Sequence, residues 1–343
     1  RPKQEAKMKS IIKAIEYYLP EKVLRNEDIA QKFPDLKIDD LTRLTGVYER
    51  HVADKDQTAG DLAIQAAEKL FTKNKLNRKK IDFLILCTSL GDYITPATSN
   101  ILQDKLALPN HCGTFDFNQG CTGYTYGLSL AKGLIESGQA ANVLLITSET
   151  ISKKIHPKDK SNMAIFGDGA AATWITVSNK KEGIGQFVFG TDGSRYETIH
   201  IKDGGARFPY PGTISKDYQD DFGNVRNDGC FYMNGSEVFT FSLNTAPVMI
   251  GEILQKHSLT KDDIKLFVLH QANRIILESI FKKLKIRKDQ EFYCLEKWGN
   301  TVQSTIPIAL KEAQDQGLIT SGDKVIAAGF GVGMSWSGTL LQF

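Results

Sequence analysis

The sequence predicts a duplicated α/β protein, and three observations support this. Short apolar runs alternate with longer amphipathic segments along the 343-residue chain, as they do in α/β proteins. The segment Leu76–Cys87 aligns with Leu259–His270 in its order of charged and apolar residues. A second pair of similar segments, 137–146 and 321–328, follows these two at nearly equal spacing. Because two matches at nearly equal spacing seldom arise by chance, we favour an internal duplication.

Five short apolar runs are predicted to be strands, and each is followed within a few residues by a helix-like segment. In chain order they are Asp82–Cys87, Gly113–Phe117, Asn142–Thr147, Lys265–Leu269 and Lys324–Ala328. The loosest part of the chain is residues 203–228, which is rich in Gly, Asp, Tyr and Pro. We interpret it as a surface excursion rather than as a domain boundary.

The duplication predicts two halves, residues 8–178 and residues 179–343, with a boundary near residues 178–183. Residues 1–7 are polar and precede Met8. They are interpreted as a tag remnant or a short tail, with the native start at Met8.

The composition excludes several classes of protein. Lys plus Arg total 43 and Asp plus Glu total 40, so the net charge of +3 lacks the basic excess that a nucleic-acid-binding face needs. No stretch approaches the roughly 20 apolar residues of a membrane helix, and the amino end is not a signal peptide. The cysteines are odd in number and lack a CxxC pair, which argues against structural disulfides and a cysteine zinc site. We therefore expect a cytoplasmic protein that binds neither membrane nor nucleic acid.

Cys121 is the most informative of the five cysteines. The predicted strand Gly113–Phe117 runs into a tight turn at residues 118–120, and Cys121 then opens a helix. A cysteine at a helix amino end lies beside unsatisfied N–H groups and the positive end of the macrodipole, and both favour the reactive thiolate. The sequence therefore predicts that Cys121 is a nucleophile, whereas the other four cysteines are read as inert core residues.

Two later segments offer the polar partners that a nucleophilic cysteine needs. His270 and Asn273 follow directly after the predicted strand Lys265–Leu269. Asn300 lies in a Gly-Asn-Thr turn before a predicted helix whose cap is Ser304 or Thr305. Because polar residues at the ends of matched strands converge on one face of an α/β sheet, we expect these side chains to meet Cys121.

These motifs together resemble the β-ketoacyl-acyl-carrier-protein synthase III family of the thiolase superfamily. The resemblance rests on Cys121 after its strand, on His-Gln-Ala-Asn at residues 270–273, and on Gly-Asn-Thr at residues 299–301. It also rests on Phe-Gly-Asp-Gly-Ala at residues 166–170 and on the glycine-rich segment 329–336. The resemblance covers nearly the whole chain. It implies a thiolase-like fold, in which the two α/β halves stack as alternating helix and sheet layers, and a homodimer.

The resemblance also implies roles for individual residues. Cys121, in the first half, would be acylated by a thioester. A malonyl group on the carrier protein would then lose CO2, and the resulting enolate would attack the acyl-cysteine. His270 and Asn300, in the second half, would stabilise the enolate, with His270 acting as a neutral donor. The acyl oxyanion would be held by the backbone N–H groups of Cys121 and Gly333. Asn273 would steer the substrate, and no metal or redox cofactor would be needed.

The chain departs from the family where coenzyme A would bind. Asp40 stands at the position of an adenine-stacking Trp, and Leu44 at that of an Arg, with Arg43 beside it. Lys160 replaces a second Arg, although Lys cannot stack on a ring through a planar guanidinium. We expect Arg43 and Lys160 to contact substrate in their place. Priming by a carrier protein or by an unusual acyl group is then favoured over priming by acetyl-CoA.

Two further departures concern the carrier protein and the acyl pocket. Ile275 replaces an Arg of the family, and Arg274 is expected to take over its contact with the acyl carrier protein. Val332 interrupts the last glycine run and Met334 replaces an aromatic residue, so the acyl pocket would be reshaped.

Two alternatives remain open at this point. The acyl group on Cys121 could pass to a hydroxyl or amine of a sugar or secondary metabolite instead of to a malonyl unit. The chain could also be a non-catalytic subunit of a heterodimeric synthase, although the presence of Cys121, His270 and Asn300 argues against this.

Overall fold

The computed structural model describes residues 9–178, 183–209 and 216–343. The strands within these ranges are β1 (Lys9–Tyr18), β2 (Val23–Arg25), β3 (Glu49–His51), β4 (Phe83–Cys87), β5 (Gly113–Phe117), β6 (Asn142–Glu149), β7 (Gly169–Ser178), β8 (Ile184–Thr191), β9 (Ile199–His200), β10 (Tyr218–Gln219), β11 (Val225–Arg226), β12 (Tyr232–Met233), β13 (Leu266–Leu269), β14 (Lys324–Gly331) and β15 (Ser335–Gln342). All five predicted strands are confirmed, and those beginning at Asn142 and Lys324 extend further than expected.

The α-helices of the described residues fill the intervals between these strands. They are α1 (Asn26–Lys32), α2 (Ile38–Thr45), α3 (Ala59–Lys73), α4 (Thr98–Lys105), α5 (Gly123–Glu136), α6 (Lys160–Met163), α7 (Gly235–Lys256), α8 (Arg274–Leu284), α9 (Leu295–Trp298) and α10 (Thr305–Asp315). Several begin where a side chain accepts an orphan N–H of the first turn, such as Thr58 before α3 and Asn234 before α7.

Two mixed sheets repeat one topology, as the internal duplication predicts. The first has the order β1-β7-β6-β4-β5, and the second has the order β8-β15-β14-β13. In each sheet the inner pair, β4 with β6 or β13 with β14, is parallel, and the two following pairings are antiparallel. The first sheet adds β5 parallel to β4, and the second keeps only a single parallel bridge between Phe267 and Glu291 at the matching place.

The sheets and helices form alternating layers. Helices α5 and α10 contact both sheets and lie between them. Helices α3 and α4 cover the outer face of the first sheet, and α7 covers the second sheet and packs against α8. Gly127 of α5 allows this close packing, because a Cβ there would lie 2.5 Å from the Leu145 side chain of β6. Leu145 is fully buried, and burial of such a side chain contributes about 1.5–3 kcal/mol to folding.

The predicted excursion at residues 203–228 is anchored to the rest of the molecule where it is described. Arg226 is buried and its guanidinium forms ion pairs with Asp159 at 3.0 Å and with Asp220 at 3.3 Å. Residues 203–205 line the central cavity. Residues 210–215 of this excursion, the amino-terminal residues 1–8 and residues 179–182 at the predicted boundary lie outside the described residues, so the tail and the boundary remain predictions.

Candidate active site

A cavity of about 460 Å³ opens beside the carboxyl ends of β5 and β13. Four of the polar side chains predicted for the site line it together, namely Cys121, His270, Asn273 and Asn300. They come from both halves of the chain and from segments up to 179 positions apart in sequence. The expectation that they converge is therefore confirmed by the structure.

Cys121 lies in a short 3₁₀ turn, Gly120–Thr122, directly before α5. Its side chain is 6% exposed and faces the loop after β14. A glycine is required at position 331, because a Cβ there would lie 2.7 Å from the Cys121 sulfur. The chain thus brings its last glycine-rich segment directly against the candidate nucleophile.

Burial raises the pKa of the Cys121 thiol to about 11, although hydrogen bonds from the backbone of Val332 and of Cys121 itself lower it. The backbone N–H groups thus favour the thiolate, as the sequence predicts, but they do not bring the pKa of the thiol below its ordinary value. Desolvation of a charged sulfur outweighs the nearby N–H groups in this enclosed position.

Two backbone N–H groups lie close to the Cys121 sulfur. Cys121 and Val332 supply them, whereas Gly333 lies one residue further and packs against Ser335. The loop is held in place by Ser335, whose hydroxyl donates to the Val332 carbonyl at 2.7 Å and pairs with the Thr122 hydroxyl at 3.0 Å. The two segments that carry these N–H groups are therefore linked by buried hydroxyls.

His270 follows β13 and is 2% exposed. Its backbone N–H donates to Ala328 of the neighbouring strand, and its ring Nδ1 lies 2.6 Å from the Thr305 hydroxyl oxygen. Burial lowers the pKa of the ring to about 3, against a smaller rise caused by the backbone of Val302. The prediction that His270 is neutral is confirmed.

Asn300 reaches the cavity from a turn that begins at Gly299, whose φ is +64°. Its side-chain oxygen accepts the Val302 N–H at 2.9 Å, and its Nδ2 donates to the Ala272 carbonyl at 3.3 Å. An amide nitrogen carries two hydrogens, so one remains available for a ligand. The side chain is thereby fixed as a donor.

The Phe-Gly-Asp-Gly motif supports Asn300 through the backbone. The Asn300 N–H donates to the Ile165 carbonyl at 2.9 Å, and the Gly167 N–H donates to the Asn300 carbonyl at 3.1 Å. A Cβ at Gly167 would lie 2.7 Å from the Trp298 carbonyl oxygen, so only glycine fits this crossing. These contacts give the motif an architectural role.

Of the four predicted substrate-binding residues, Arg43, Lys160 and Arg274 do not line the cavity. Asn273 does line it, but its side-chain oxygen is used to cap α8 by accepting the Ile276 N–H at 2.9 Å. Arg274 forms ion pairs with Glu296 and, at 3.6 Å, with Glu278. The exposed Arg43 pairs with Asp40 at 3.1 Å. Lys160 begins α6, away from the cavity wall.

Sequence reasoning did not identify most of the cavity wall. Its apolar part is contributed by scattered segments, including Ile151, Ile165, Phe166, Ile199, Phe231 and Val238. The hydroxyls of Ser304 and Thr305, read as helix caps, instead contact Thr147 and His270. Neither caps α10. Only the polar character of these two residues signals a role, and it does not reveal their partners.

The side chains and helices of the described residues bear on two other classes of site. None of these residues form a group of three or more His, Cys, Asp or Glu side chains that could hold a metal ion. Among the same residues, no helix is both long enough and apolar enough to span a bilayer.

Comparison with known proteins agrees with this geometry. Models of 3-oxoacyl-[acyl-carrier-protein] synthase III and of its C-terminal part match residues 115–193 and 254–343. A β-ketoacyl-[acyl-carrier-protein] synthase III of Caldanaerobacter subterraneus is 35% identical over 327 residues, which is 95% of each chain.

Solved structures agree as well. A crystal structure of a 3-oxoacyl-(acyl-carrier-protein) synthase III shares 43% identity with a TM-score of 0.96, over 98% of this chain and all of that one. The β-ketoacyl-[acyl-carrier-protein] synthase III of Thermus thermophilus superimposes with a TM-score of 0.86 at 32% identity, over 97% of this chain and 99% of its own. The protein therefore belongs to the 3-oxoacyl-[acyl-carrier-protein] synthase III family.

Proposed function

We propose that this enzyme condenses an acyl thioester with malonyl-acyl-carrier protein, with loss of CO2, to give a β-ketoacyl-carrier protein for fatty-acid or related synthesis. The observation that carries this proposal is the meeting of Cys121 with neutral His270 and Asn300 in one cavity. Cys121 would supply the nucleophile for acylation, and the side-chain donors His270 and Asn300 would stabilise the enolate during condensation.

In the first half-reaction the Cys121 sulfur attacks the carbonyl carbon of the primer thioester. The oxyanion that forms would be held by the backbone N–H groups of Cys121 and Gly333. Its collapse breaks the bond to the carrier sulfur, and the leaving thiolate takes up the proton that the Cys121 thiol has lost. The products are acyl-Cys121 and a free carrier thiol.

In the second half-reaction the malonyl group loses CO2, and the electrons of the broken bond form an enolate. Its oxygen would be held by one N–H of His270 and the free Nδ2–H of Asn300, both fixed by buried partners. The enolate carbon then attacks acyl-Cys121, and the departing sulfur takes a proton from solvent. Because the malonyl carboxylate supplies the electron pair, this route uses no metal or redox cofactor.

The charge pattern near the cavity favours a primer on a carrier protein. Arg43 and Arg274 would be the natural partners of coenzyme A phosphates or of a carrier protein's acidic surface, and each is already paired with a carboxylate of this chain. Such exposed pairs are weak in themselves, but each places a negative charge beside the guanidinium and so lowers the attraction for a polyphosphate. A docked protein can compensate through additional contacts around the cavity mouth.

We also propose a homodimer in the cytoplasm. Strand β5 lies at an edge of the first sheet, and its Phe115 and Phe117 are only partly buried. Tyr93 and Ile94, in the loop after β4, are largely exposed. A second copy would cover this edge, and light scattering of the purified protein would then give twice the chain mass. The unpaired cysteines fit a reducing compartment.

The test of the reaction is intact-protein mass spectrometry with a panel of acyl-CoAs and acyl-carrier proteins, followed by malonyl-carrier protein. We expect the wild type to gain one acyl mass and to lose it as CO2 and ketoacyl product appear. Cys121→Ala should gain none, which makes it the control for labelling elsewhere. Discharge only by an alcohol or amine would instead identify an acyltransferase, and a chain that never acylates would fit a non-catalytic subunit.

A further inference from the structure

The ring of His270 has one buried side-chain contact that the reaction above does not use. Its Nδ1 lies 2.6 Å from the hydroxyl oxygen of Thr305, the first residue of α10. Thr305 is 2% exposed, so water does not compete freely for this hydroxyl. The contact therefore holds the ring from the side opposite Nε2.

The position of the single ring hydrogen decides what His270 can do. A neutral imidazole carries one N–H, and its other nitrogen is an acceptor. If the hydrogen is on Nε2, the ring can donate to the oxygen of an enolate. If the hydrogen is on Nδ1, Nε2 presents a lone pair instead, and that lone pair would repel the developing negative charge.

The Thr305 hydroxyl has two acceptors within reach. One is His270 Nδ1 at 2.6 Å, and the other is the Val302 carbonyl at 3.0 Å. The Val302 carbonyl already accepts the backbone N–H of Thr305, so it does not need the hydroxyl hydrogen. Nδ1 has the shorter contact and no other donor among the hydrogen bonds of the described residues, which favours donation from Thr305 to the ring.

We propose that Thr305 is a positioning residue that sets the tautomer of His270. Its hydroxyl donates to Nδ1 and leaves the ring hydrogen on Nε2, the nitrogen that can address the substrate. This inference rests on the proposed function, because only a condensing reaction requires His270 to donate. It explains why a hydroxyl is buried at the first position of α10 without capping the helix.

Without the Thr305 hydroxyl, the His270 tautomer that carries its hydrogen on Nδ1 has the Val302 carbonyl as an acceptor. The Val302 carbonyl lies close enough to the ring to raise the pKa of His270, so it competes with Thr305 for the Nδ1 side of the ring and becomes the acceptor there once the Thr305 hydroxyl is removed. In Thr305→Val the ring hydrogen would therefore move to Nδ1 and bond to the Val302 carbonyl. The shape of the side chain would be nearly conserved while its donor is lost.

The neighbouring hydroxyl of Ser304 provides a matched control. It is equally buried, but it donates to the Thr147 hydroxyl at 2.9 Å and lies 3.3 Å from the Gly169 carbonyl, on the first sheet. Ser304→Ala removes a buried hydroxyl from the same turn without touching His270. Thr305→Ser keeps the hydroxyl in place and is expected to retain function.

The test combines nitrogen NMR of the histidine rings with the two half-reactions. The chain has six histidines, and a His270→Gln variant identifies the His270 signals by their absence. We expect Nε2 to carry the hydrogen in the wild type, in Thr305→Ser and in Ser304→Ala, and Nδ1 to carry it in Thr305→Val. Decarboxylation by Thr305→Val should fall by up to about 10²–10³, the effect of a lost oxyanion donor, while acylation of Cys121 is unchanged.

Two results would overturn the proposal: a wild-type ring with its hydrogen on Nδ1, or a Thr305→Val variant that keeps both the Nε2 hydrogen and the wild-type rate. The wild-type spectrum decides the first without any variant having to fold. If the wild type acylates but never decarboxylates malonyl-carrier protein, the proposed function fails instead, and the NMR result still reports on Thr305.

Discussion

The two halves of the chain share a topology but place different chemistry at matched positions. Strand β4 ends at Cys87, and its counterpart β13 is followed by His270. Both side chains are almost fully buried. The Cys87 sulfur packs against Gly123, beneath the loop that carries Cys121, whereas the His270 ring lines the cavity. The duplicated backbone therefore supplies equivalent places, and the side chain decides whether a place supports the site or forms it.

Burial also shifts the pKa values of Cys121 and His270 in opposite directions, and both shifts favour the neutral form. Burial raises the pKa of Cys121 to about 11 and lowers that of His270 to about 3. Both groups are consequently neutral near pH 7. The resting site holds little charge of its own at these two residues, and its donors are directed at charge that appears only during the reaction.

The largest expected effect comes from removing a donor of the second half. His270→Ala or Asn300→Ala should slow decarboxylation by roughly 10²–10³, because each removes one N–H from the enolate oxygen. Acylation of Cys121 should stay near the wild-type rate, since its oxyanion would be held by the backbone N–H groups of Cys121 and Gly333 and not by these side chains. Mass spectrometry of the acyl-enzyme and measurement of released CO2 separate the two steps.

The opposite pattern would refute this division of labour. If either variant lost acylation first and kept decarboxylation of malonyl-carrier protein, the donor roles would belong to the first half-reaction. The double variant His270→Ala/Asn300→Ala adds a check. Two donors to one oxygen should be strongly non-additive, because the site with one donor already holds that oxygen poorly.

A smaller effect, on stability, is expected at Gly123, which follows Cys121 in the first half of the chain. In Gly123→Ala the new Cβ would lie 2.3 Å from the Cys87 sulfur, so the variant should lose about 1–3 kcal/mol of stability through overpacking. Cys87→Ala removes the obstacle, and the double variant should recover most of the loss. Thermal unfolding midpoints of the three variants measure this coupling.

Gly133→Ala is the matched control for this experiment. It lies in the same helix α5, but a Cβ there has no neighbour within 4 Å. It should therefore stabilise the helix by up to about 1 kcal/mol, as expected for Ala over Gly. A similar loss in Gly123→Ala and Gly133→Ala would mean that the clash with Cys87 is not the cause.

The sequence predicts the elements and the polar residues of the site better than the wall that encloses them. The strands are recognisable because their apolar runs are short and end at turn residues, and Cys121, His270 and Asn300 stand at those ends. The apolar wall has no such signal. Ile151, Ile199 and Val238 are ordinary core residues by sequence, and only the packing of distant segments makes them line a cavity.

The pKa of Cys121 and the tautomer of His270 cannot be predicted from the sequence, for a related reason. A helix amino end can be recognised from residue types, but the desolvation that outweighs it depends on what covers the sulfur. Thr305 likewise fits the pattern of a helix cap. Its actual partner is 35 positions away in sequence and is revealed only by the fold.

The smallest effect is expected from pH on the second half-reaction. Because the His270 pKa is about 3, the ring stays neutral as the pH falls from about 8 to about 5, and the decarboxylation rate of preformed acyl-Cys121 should not change through this range. Cys121, in the first half of the chain, should respond to pH differently. Alkylation of free Cys121 by iodoacetamide should rise about tenfold per pH unit towards a midpoint near 11, since only the thiolate reacts. A decarboxylation profile with an inflection near pH 6.5, of either sign, would mean that His270 titrates as it does in water. In that case burial would not keep the His270 ring neutral. The contrast between the two halves of the chain would then rest on the pKa of Cys121 alone.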